Sequence, residues 1–278
     1  MSLEETDRLM ARAAAVLVRP QIPENIGAVA RVAANMGLGR LIVVRPVRWN
    51  LDKMCMLATR IGRPLILDRM ELAADLEGAL AGFNLVIGTT SRLGRFRRPT
   101  GGPRTALKEA ARLLTSNQVA LVFGPEKDGL TSPELALCQR LVHIPASQEA
   151  APLKLAQAVM IMAYELRMAL LEQDRSPDEP RPRLAPWDDL RGMYSHLEEA
   201  FDKIDPDQHY NRRIWMNTLR GLLDRTNLRE HEVKFLRGVC RKICWAVDHS
   251  GPGQPAGRSE LQASPQEALG RRANSRRP

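Results

Sequence analysis

The chain has 278 residues, of which 44% are hydrophobic and 26% are charged, so it can bury a large core and form one large domain with a smaller unit. Its net charge of +9 favours acidic partners, nucleic acid first, unless the excess is spread evenly over the surface. No apolar run reaches the ~18 residues of a membrane span, and the acidic N-terminus is unlike a signal peptide, so we expect a cytoplasmic protein without a membrane partner.

The first part of the chain alternates between short apolar runs and amphipathic stretches. Asn25 is predicted to be the N-cap of a helix that ends at Gly37. The apolar runs predict strands at 14–19, 41–44, 64–67 and 85–87. The stretches between them predict helices at 25–36, 51–59 and 71–81.

The alternation continues to residue 172. Helices are predicted at 105–114 and 153–172, and strands at 119–123 and 141–144. Between these two strands, Thr131 is predicted to be a helix N-cap, with Glu134 three residues later to close a capping box. This order of elements is typical of a parallel, doubly wound α/β sheet.

The remaining residues predict a small all-α extension. Residues 173–186 are rich in Pro and charged side chains and are predicted to be a linker after an α/β domain that spans 1–172. Helices are predicted at 187–204, 212–225 and 230–248, so the extension spans 187–249. Its apolar seam could close on itself or on a second copy. The tail, 250–278, has the composition of a disordered segment.

A loop with two glycines follows the buried strand at 119–123. In open α/β sheets, ligands bind beyond the carboxyl ends of the strands. This loop offers backbone N–H groups between Gly124 and Gly129 and one carboxylate, Glu126. Taken alone it is compatible with an ordinary turn. A nicotinamide-binding domain is disfavoured, because no G-x-G-x-x-G follows the first strand.

Arg31 lies outside the apolar stripe of its predicted helix. It shares a helix side with Gly27 and Asn35, opposite the predicted core positions. A solvated arginine is the simple interpretation. The functional interpretation is a cation aimed at a phosphate, a hydroxyl or a partner subunit.

A cluster of arginines follows the strand at 85–87. Guanidinium groups in a loop beside a strand's carboxyl end suit phosphate contacts, and Phe96 among them could stack on a base. The alternative is a solvated charged loop. The predicted RNA-binding residues of this loop are Arg92, Arg95, Arg97 and Arg98.

Three segments, in order, resemble the motifs of one enzyme family. They read N-I-G-A-V-A-R at 25–31, F-G-P-E-K-D-G-L-T at 123–131, and I-P…P-L-K-L-A-Q-A-V over 144–159. They resemble motifs one to three of the SpoU (TrmH-like) branch of the SPOUT RNA methyltransferases. The nearest match is the TrmJ group, tRNA ribose 2′-O-methyltransferases that act at position 32 of the anticodon loop. Within the extension, H-L-E-E-A and F-L-R-G-V resemble that group's C-terminal region.

The resemblance implies a parallel-sheet domain with a C-terminal trefoil knot whose loops bind S-adenosylmethionine. It also implies a homodimer with its catalytic pocket at the subunit interface and tRNA as the partner. Carried onto this chain, the cofactor-binding residues are Thr89, Thr90, Gly124, Glu126, Gly129, Ile144, Pro145 and Leu153.

The same resemblance assigns the catalytic residues Arg31, Asn25 and Glu126. Methyl transfer from a sulfonium needs no metal, and the four cysteines lack metal-ligand spacing, so we expect no metal. Arg31 would stabilise alkoxide charge on the 2′ oxygen, because arginine is too basic to be the general base. Asn25 could orient Arg31 or bind RNA, and Glu126 could orient the cofactor loop or pair with Arg31.

The third motif departs from the family pattern. The family usually has Ser-Leu-Asn where this chain has Pro152-Leu153-Lys154, and Pro125 replaces a common arginine of motif two. Lys154 could pair with Glu126, contact an RNA phosphate or obstruct the pocket. The sequence therefore predicts an enzyme acting on tRNA or rRNA, with a catalytically impaired, RNA-binding knotted dimer as the alternative.

Overall fold

The structure is a computed structural model that describes residues 1–91, 101–147, 153–173, 182–206 and 211–249. Its strands are β1 (Ala13–Val18), β2 (Arg40–Val44), β3 (Glu71–Ala73), β4 (Leu85–Thr89), β5 (Val119–Phe123) and β6 (Arg140–Val142). Its helices are α1 (Leu3–Met10), α2 (Pro23–Met36), α3 (Leu51–Ala58), α4 (Gly62–Leu65), α5 (Leu76–Leu80), α6 (Pro103–Leu113), α7 (Ser132–Leu135), α8 (Leu155–Leu171), α9 (Trp187–Ile204), α10 (Arg212–Leu223) and α11 (Glu230–His249).

The six strands form one sheet in the order β3-β2-β1-β5-β4-β6, and every pairing is parallel. This confirms the predicted parallel sheet. The last residues of β1, β5, β4 and β6 therefore lie along one side of the sheet, which we call the carboxyl edge. They are Val18, Phe123, Thr89 and Val142.

Both faces of the sheet are covered, and the burial of β1 shows why its sequence is apolar throughout. Ala13, Ala15 and Leu17 point to the face packed by α2, α6 and α8. Ala14 and Val16 point to the other face, with residues of α5 and α7. Strands covered on both sides need continuous apolar runs rather than alternation, because every side chain is buried.

Two predicted elements between β2 and β4 are wrong. The predicted strand 64–67 falls on α4 and on a turn of 3-10 helix, Leu67–Arg69. The strand β3 falls at the start of the predicted helix 71–81, of which only α5 is helical. β3 is an edge strand that pairs with β2 alone, and Leu72 is 61% exposed, so its sequence lacks the apolar run of a buried strand.

The helical extension packs against the sheet domain. Trp187, the first residue of α9, is buried in the same cluster as β1 and β5, and its Nε1 donates a hydrogen bond to the carbonyl of Leu137 (3.0 Å). Leu184 and Ala185 are also buried, although they fall in the predicted linker. The predicted domain boundaries stay a prediction, as does the trefoil knot.

A buried arginine joins the extension to the start of β6. Arg140, only 5% exposed, donates from Nη2 to Glu109 Oε1 (2.9 Å) and Asn227 Oδ1 (2.8 Å), and from Nη1 to the carbonyl of Asp224. Burial raises the pKa of the Asp224 carboxyl to about 6. This carboxyl also accepts a hydrogen bond from the Tyr194 hydroxyl (2.8 Å), which acts in the opposite direction and lowers the pKa. Polar contacts therefore reinforce the apolar ones at this junction.

Candidate functional site at the carboxyl edge

The loop after β5 is folded tightly on itself. A Cβ atom on Gly124 would lie 2.2 Å from the backbone nitrogen of Leu130, so only glycine fits there. Gly129 has a φ of 66°, and its N–H donates to the carbonyl of Pro125 (2.9 Å). The capping box of Thr131 and Glu134 is confirmed. The loop thus turns sharply and presents backbone groups at the carboxyl edge.

Glu126 connects this loop to the start of α2. Its Oε2 accepts the backbone N–H of Gln21 (2.9 Å), and its Oε1 accepts Nδ2 of Asn25 (2.7 Å). A carboxylate is stabilised there, because unpaired N–H groups and the positive end of the helix dipole lie at a helix N-terminus. Residues of the first and second sequence motifs are therefore in direct contact.

The contacts of Asn25 and Glu126 differ from two expectations. Asn25 is not the N-cap of α2, because the helix begins at Pro23 and Ile22 is the capping residue. A proline in the first helical turn replaces the side-chain cap that the sequence predicted. Glu126 binds Asn25 and Gln21, and in the described part of the chain it forms no ion pair with Arg31 or Lys154.

A second link between the same loops was missed by the sequence analysis. Arg19 directly follows β1 with a φ of 48°, and its N–H donates to the carbonyl of Val44 (2.7 Å). Its guanidinium binds both carboxylate oxygens of Glu134, with Nη2 at 3.1 Å from Oε2. The two residues are 115 positions apart, so no local pattern indicates the pair. This ion pair and the contacts of Glu126 together hold the loop after β5 against the loop after β1.

Arg31 is exposed on α2, six residues beyond Asn25. Its side chain makes no hydrogen bond or ion pair with any residue that the structure describes. The prediction that Gly27 also lies away from the core is wrong, because α3 crosses α2 there and a Cβ on Gly27 would lie 1.9 Å from the carbonyl oxygen of Met54. Gly62 of α4 packs beside the Arg31 backbone. The Arg31 side chain therefore emerges beside α3 and α4.

The ends of β4 and β6 complete the carboxyl edge. The Thr89 hydroxyl donates to the carbonyl of Val122 (3.1 Å), and the N–H of Thr90 donates to the carbonyl of Val142 (3.0 Å). His143, which the sequence analysis did not select, has Nδ1 at 3.1 Å from the carbonyl oxygen of Thr90. The structure thus brings the predicted cofactor residues of β4 next to the ends of β5 and β6.

The other predicted cofactor residues flank this edge. Ile144 and Leu153 are half-buried, whereas Pro145 is exposed. Lys154 is exposed just before α8, and its backbone N–H donates to Gln157 Oε1 (2.8 Å).

The four predicted RNA-binding arginines and Pro152 lie outside the described residues. The two described ends of that arginine loop are at the carboxyl edge: Ser91 follows Thr90, and Gly101 forms a parallel bridge with Val142. The described ranges hold no group of His, Cys, Asp and Glu side chains suited to a metal ion. Nor do they contain a helix long and apolar enough to cross a membrane.

Two family models match the chain. Residues 12–164 match the SpoU rRNA methylase family, and residues 188–251 match the C-terminal domain of the tRNA methyltransferase TrmJ. The first match contains β1 to β6, and the second covers α9 to α11 almost completely. The two matches therefore follow the α/β region and the helical extension.

Individual proteins agree with these models. The chain is 36% identical over 244 residues to a tRNA (cytidine/uridine/adenosine-2′-O-)-methyltransferase TrmJ of Pseudomonas aeruginosa, which covers 83% of this chain and 93% of that protein. It is 35% identical over 231 residues to a tRNA (cytidine/uridine-2′-O-)-methyltransferase TrmJ of Pectobacterium atrosepticum (82% and 95%). The crystal structure of TrmJ from Z. mobilis ZM4 superposes with a TM-score of 0.66 at 29% identity (83% and 98%).

Proposed function

The chain belongs to the SpoU rRNA methylase family of RNA 2′-O-methyltransferases, and from this premise we propose that it methylates tRNA in the cytoplasm with S-adenosylmethionine as donor. Position 32 of the anticodon loop is the proposed target, as the resemblance to the TrmJ group implies. The observation that carries the proposal is the contact of Glu126 with Asn25 and Gln21, which joins motifs one and two at the carboxyl edge.

The residues at the carboxyl edge fit the proposed donor. Gly124 leaves room for the close approach of backbone segments, and the half-buried Ile144 and Leu153 offer apolar contacts. The hydroxyl of Thr89 already donates to β5, so this residue would contribute through its backbone. When bound, the donor supplies a methyl group on a positively charged sulfur. The protein's part is to hold that group in line with the acceptor oxygen.

Arg31 acts on the acceptor. Formation of the oxygen–methyl bond breaks the sulfur–methyl bond and leaves a neutral thioether, and the ribose 2′ hydroxyl releases its proton to water or to an RNA phosphate as this happens. A fixed guanidinium beside that oxygen stabilises the negative charge that develops before the bond is complete. Arginine does not take the proton, because it stays charged in proteins. Asn25 and Glu126 act indirectly, because their hydrogen bond holds the start of α2 against the cofactor loop.

A second copy of the chain would complete the site around Arg31. Met56 is 77% exposed and Ile61 is 67% exposed, and both lie on the α3–α4 side from which Arg31 emerges. Leu51, Leu57 and Leu65 are exposed in the same segment. Exposed apolar groups concentrated in this way are typical of an interface. We therefore propose that this side is the homodimer interface.

One observation favours the alternative function, an RNA-binding dimer with little catalysis. Lys154 places an exposed ammonium group beside Leu153, where the family usually has an uncharged amide. A cation there would repel the positively charged sulfur of the donor but would attract an RNA phosphate. An assay that measures methyl transfer and RNA binding separately distinguishes the two functions.

The test is Arg31→Ala, with Arg8→Ala as the matched control. Arg8 is a similarly exposed arginine on α1 whose contact with Glu5 is 3.8 Å long. We expect Arg31→Ala to reduce methyl transfer to tRNA by about 100-fold or more, the usual cost of losing a group that stabilises transition-state charge. Arg8→Ala should have no effect.

Donor affinity and the sedimentation of the dimer are measured in the same samples. Both should be retained in Arg31→Ala. Parallel loss of methylation, donor binding and dimerisation would show that Arg31 is structural. Tight tRNA binding without methylation by the unaltered protein would establish the alternative function.

A further inference from the structure

Three cations form a line on the exposed side of α6. Arg104, Lys108 and Arg112 follow one another at intervals of four residues, and all three are exposed. The opposite side of the helix is buried in the core through Leu107 and Ala110. At a rise of 1.5 Å per residue, the line is about 12 Å long. Its side chains therefore face solvent along the whole helix.

The line borders a groove of about 710 Å³. Two carboxylates, Glu109 and Glu172, also line it. Glu109 is already neutralised by Arg140 and further bonded by Asn227 Nδ2 (3.0 Å). Among the described residues that line the groove, the three cations therefore outnumber the two carboxylates.

The first cation of the line, Arg104, makes a long contact with a carboxylate outside the groove. Arg104 Nε is 3.4 Å from Glu165 Oε2, and the arginine side chain is 82% exposed. A contact of this length at so exposed an arginine contributes little, and the arginine can exchange it for another anion.

The line connects two parts of the molecule. It begins just after Gly101, which pairs with Val142 at the carboxyl edge. It ends beside the helical extension, because Glu109, the residue after Lys108, binds Asn227. Arg225 of the extension is exposed two residues before Asn227. Positive groups thus continue from the candidate site to the extension.

We infer that the sugar–phosphate backbone of the RNA lies in this groove and that Arg104, Lys108 and Arg112 contact its phosphates. This inference rests on the proposed function and names the route of its substrate across the protein. RNA is the occupant because its backbone is a continuous row of negative charges, which matches a row of exposed cations. These contacts position the RNA without reading its bases.

The test compares the unaltered protein with the triple variant Arg104→Gln, Lys108→Gln, Arg112→Gln. The binding of a full-length tRNA transcript is measured at several salt concentrations. Loss of three phosphate contacts should lower the slope of log affinity against log salt by about 2 to 3. Between about 50 and about 200 mM salt, the variant's affinity should therefore fall about 16- to 64-fold less than that of the unaltered protein.

Two controls accompany the triple variant. The charge-conserving variant Arg104→Lys, Lys108→Arg, Arg112→Lys should keep the original slope, and Arg8→Gln should behave as the unaltered protein. Donor affinity and melting temperature should be unchanged in all of them. An unchanged slope in the neutral variant, while the unaltered protein binds tRNA, would overturn the groove as the RNA route. Failure of the unaltered protein to bind tRNA would reject the proposed function and this route together.

Discussion

Replacing Asn25 with aspartate should separate the two loops that Glu126 joins. The amide Nδ2 of Asn25 lies 2.7 Å from Glu126 Oε1, and aspartate would place a second carboxylate oxygen there. The lost hydrogen bond to a charged group is worth about 1.5–3 kcal/mol. Repulsion between two charges at this distance adds about 1.5 kcal/mol at the dielectric constant of water, which suits these half-exposed groups. We expect the free energy of unfolding to fall by about 3–4.5 kcal/mol.

Urea unfolding at neutral pH and at about pH 4 tests this reasoning, since carboxyl groups begin to bind protons near there. At the lower pH, a proton shared by the two carboxyl groups restores a hydrogen bond, so most of the deficit of Asn25→Asp should disappear. Asn25→Ala serves as the control, because it removes the bond without adding a charge. Its smaller deficit should be similar at both pH values. Equal deficits for Asn25→Asp at both pH values would refute the electrostatic explanation.

Two further substitutions test the cofactor loop and the junction. Gly124→Ala forces its Cβ against the backbone of Leu130, so we expect a loss of about 2–4 kcal/mol in unfolding free energy together with loss of donor binding; normal melting with intact donor binding would contradict the tight loop. Because the folded-state pKa of Asp224 is raised to about 6, the folded protein binds the extra proton and loses stability as pH rises from about 4 to about 6. Asp224→Asn should remove this loss and be on the order of 1–3 kcal/mol more stable at neutral pH, and pH-independent behaviour of the unaltered protein would refute it.

The elements predicted correctly depend on short stretches of sequence. The buried strand β5 is an unbroken apolar run, and the capping box of Thr131 and Glu134 spans only four residues. The edge strand β3 was mistaken for a helix because its exposed residues lack that apolar signal. Residues such as these take their conformation from the neighbouring strand β2 rather than from their own pattern.

The contacts between the residues of the candidate site could not be predicted from local sequence patterns. Motif resemblance selected Asn25 and Glu126, but their hydrogen bond joins residues 101 positions apart. The ion pair of Arg19 with Glu134 and the burial of Arg140 depend equally on how the sheet is ordered. Such contacts follow from tertiary structure, so a single sequence without its fold contains no spacing that reveals them.

The attachment of the helical extension changes how shortened forms of this enzyme should be understood. Truncation after α8 would remove Trp187 from its buried cluster. It would also remove two hydrogen-bond acceptors of Arg140, the side chain of Asn227 and the carbonyl of Asp224. Arg140 is the first residue of β6, whose last residue is at the carboxyl edge. A truncated protein would therefore lose contacts of its own sheet as well as the extension, and its phenotype would combine the two effects. Single substitutions at the surface test the extension without removing those contacts.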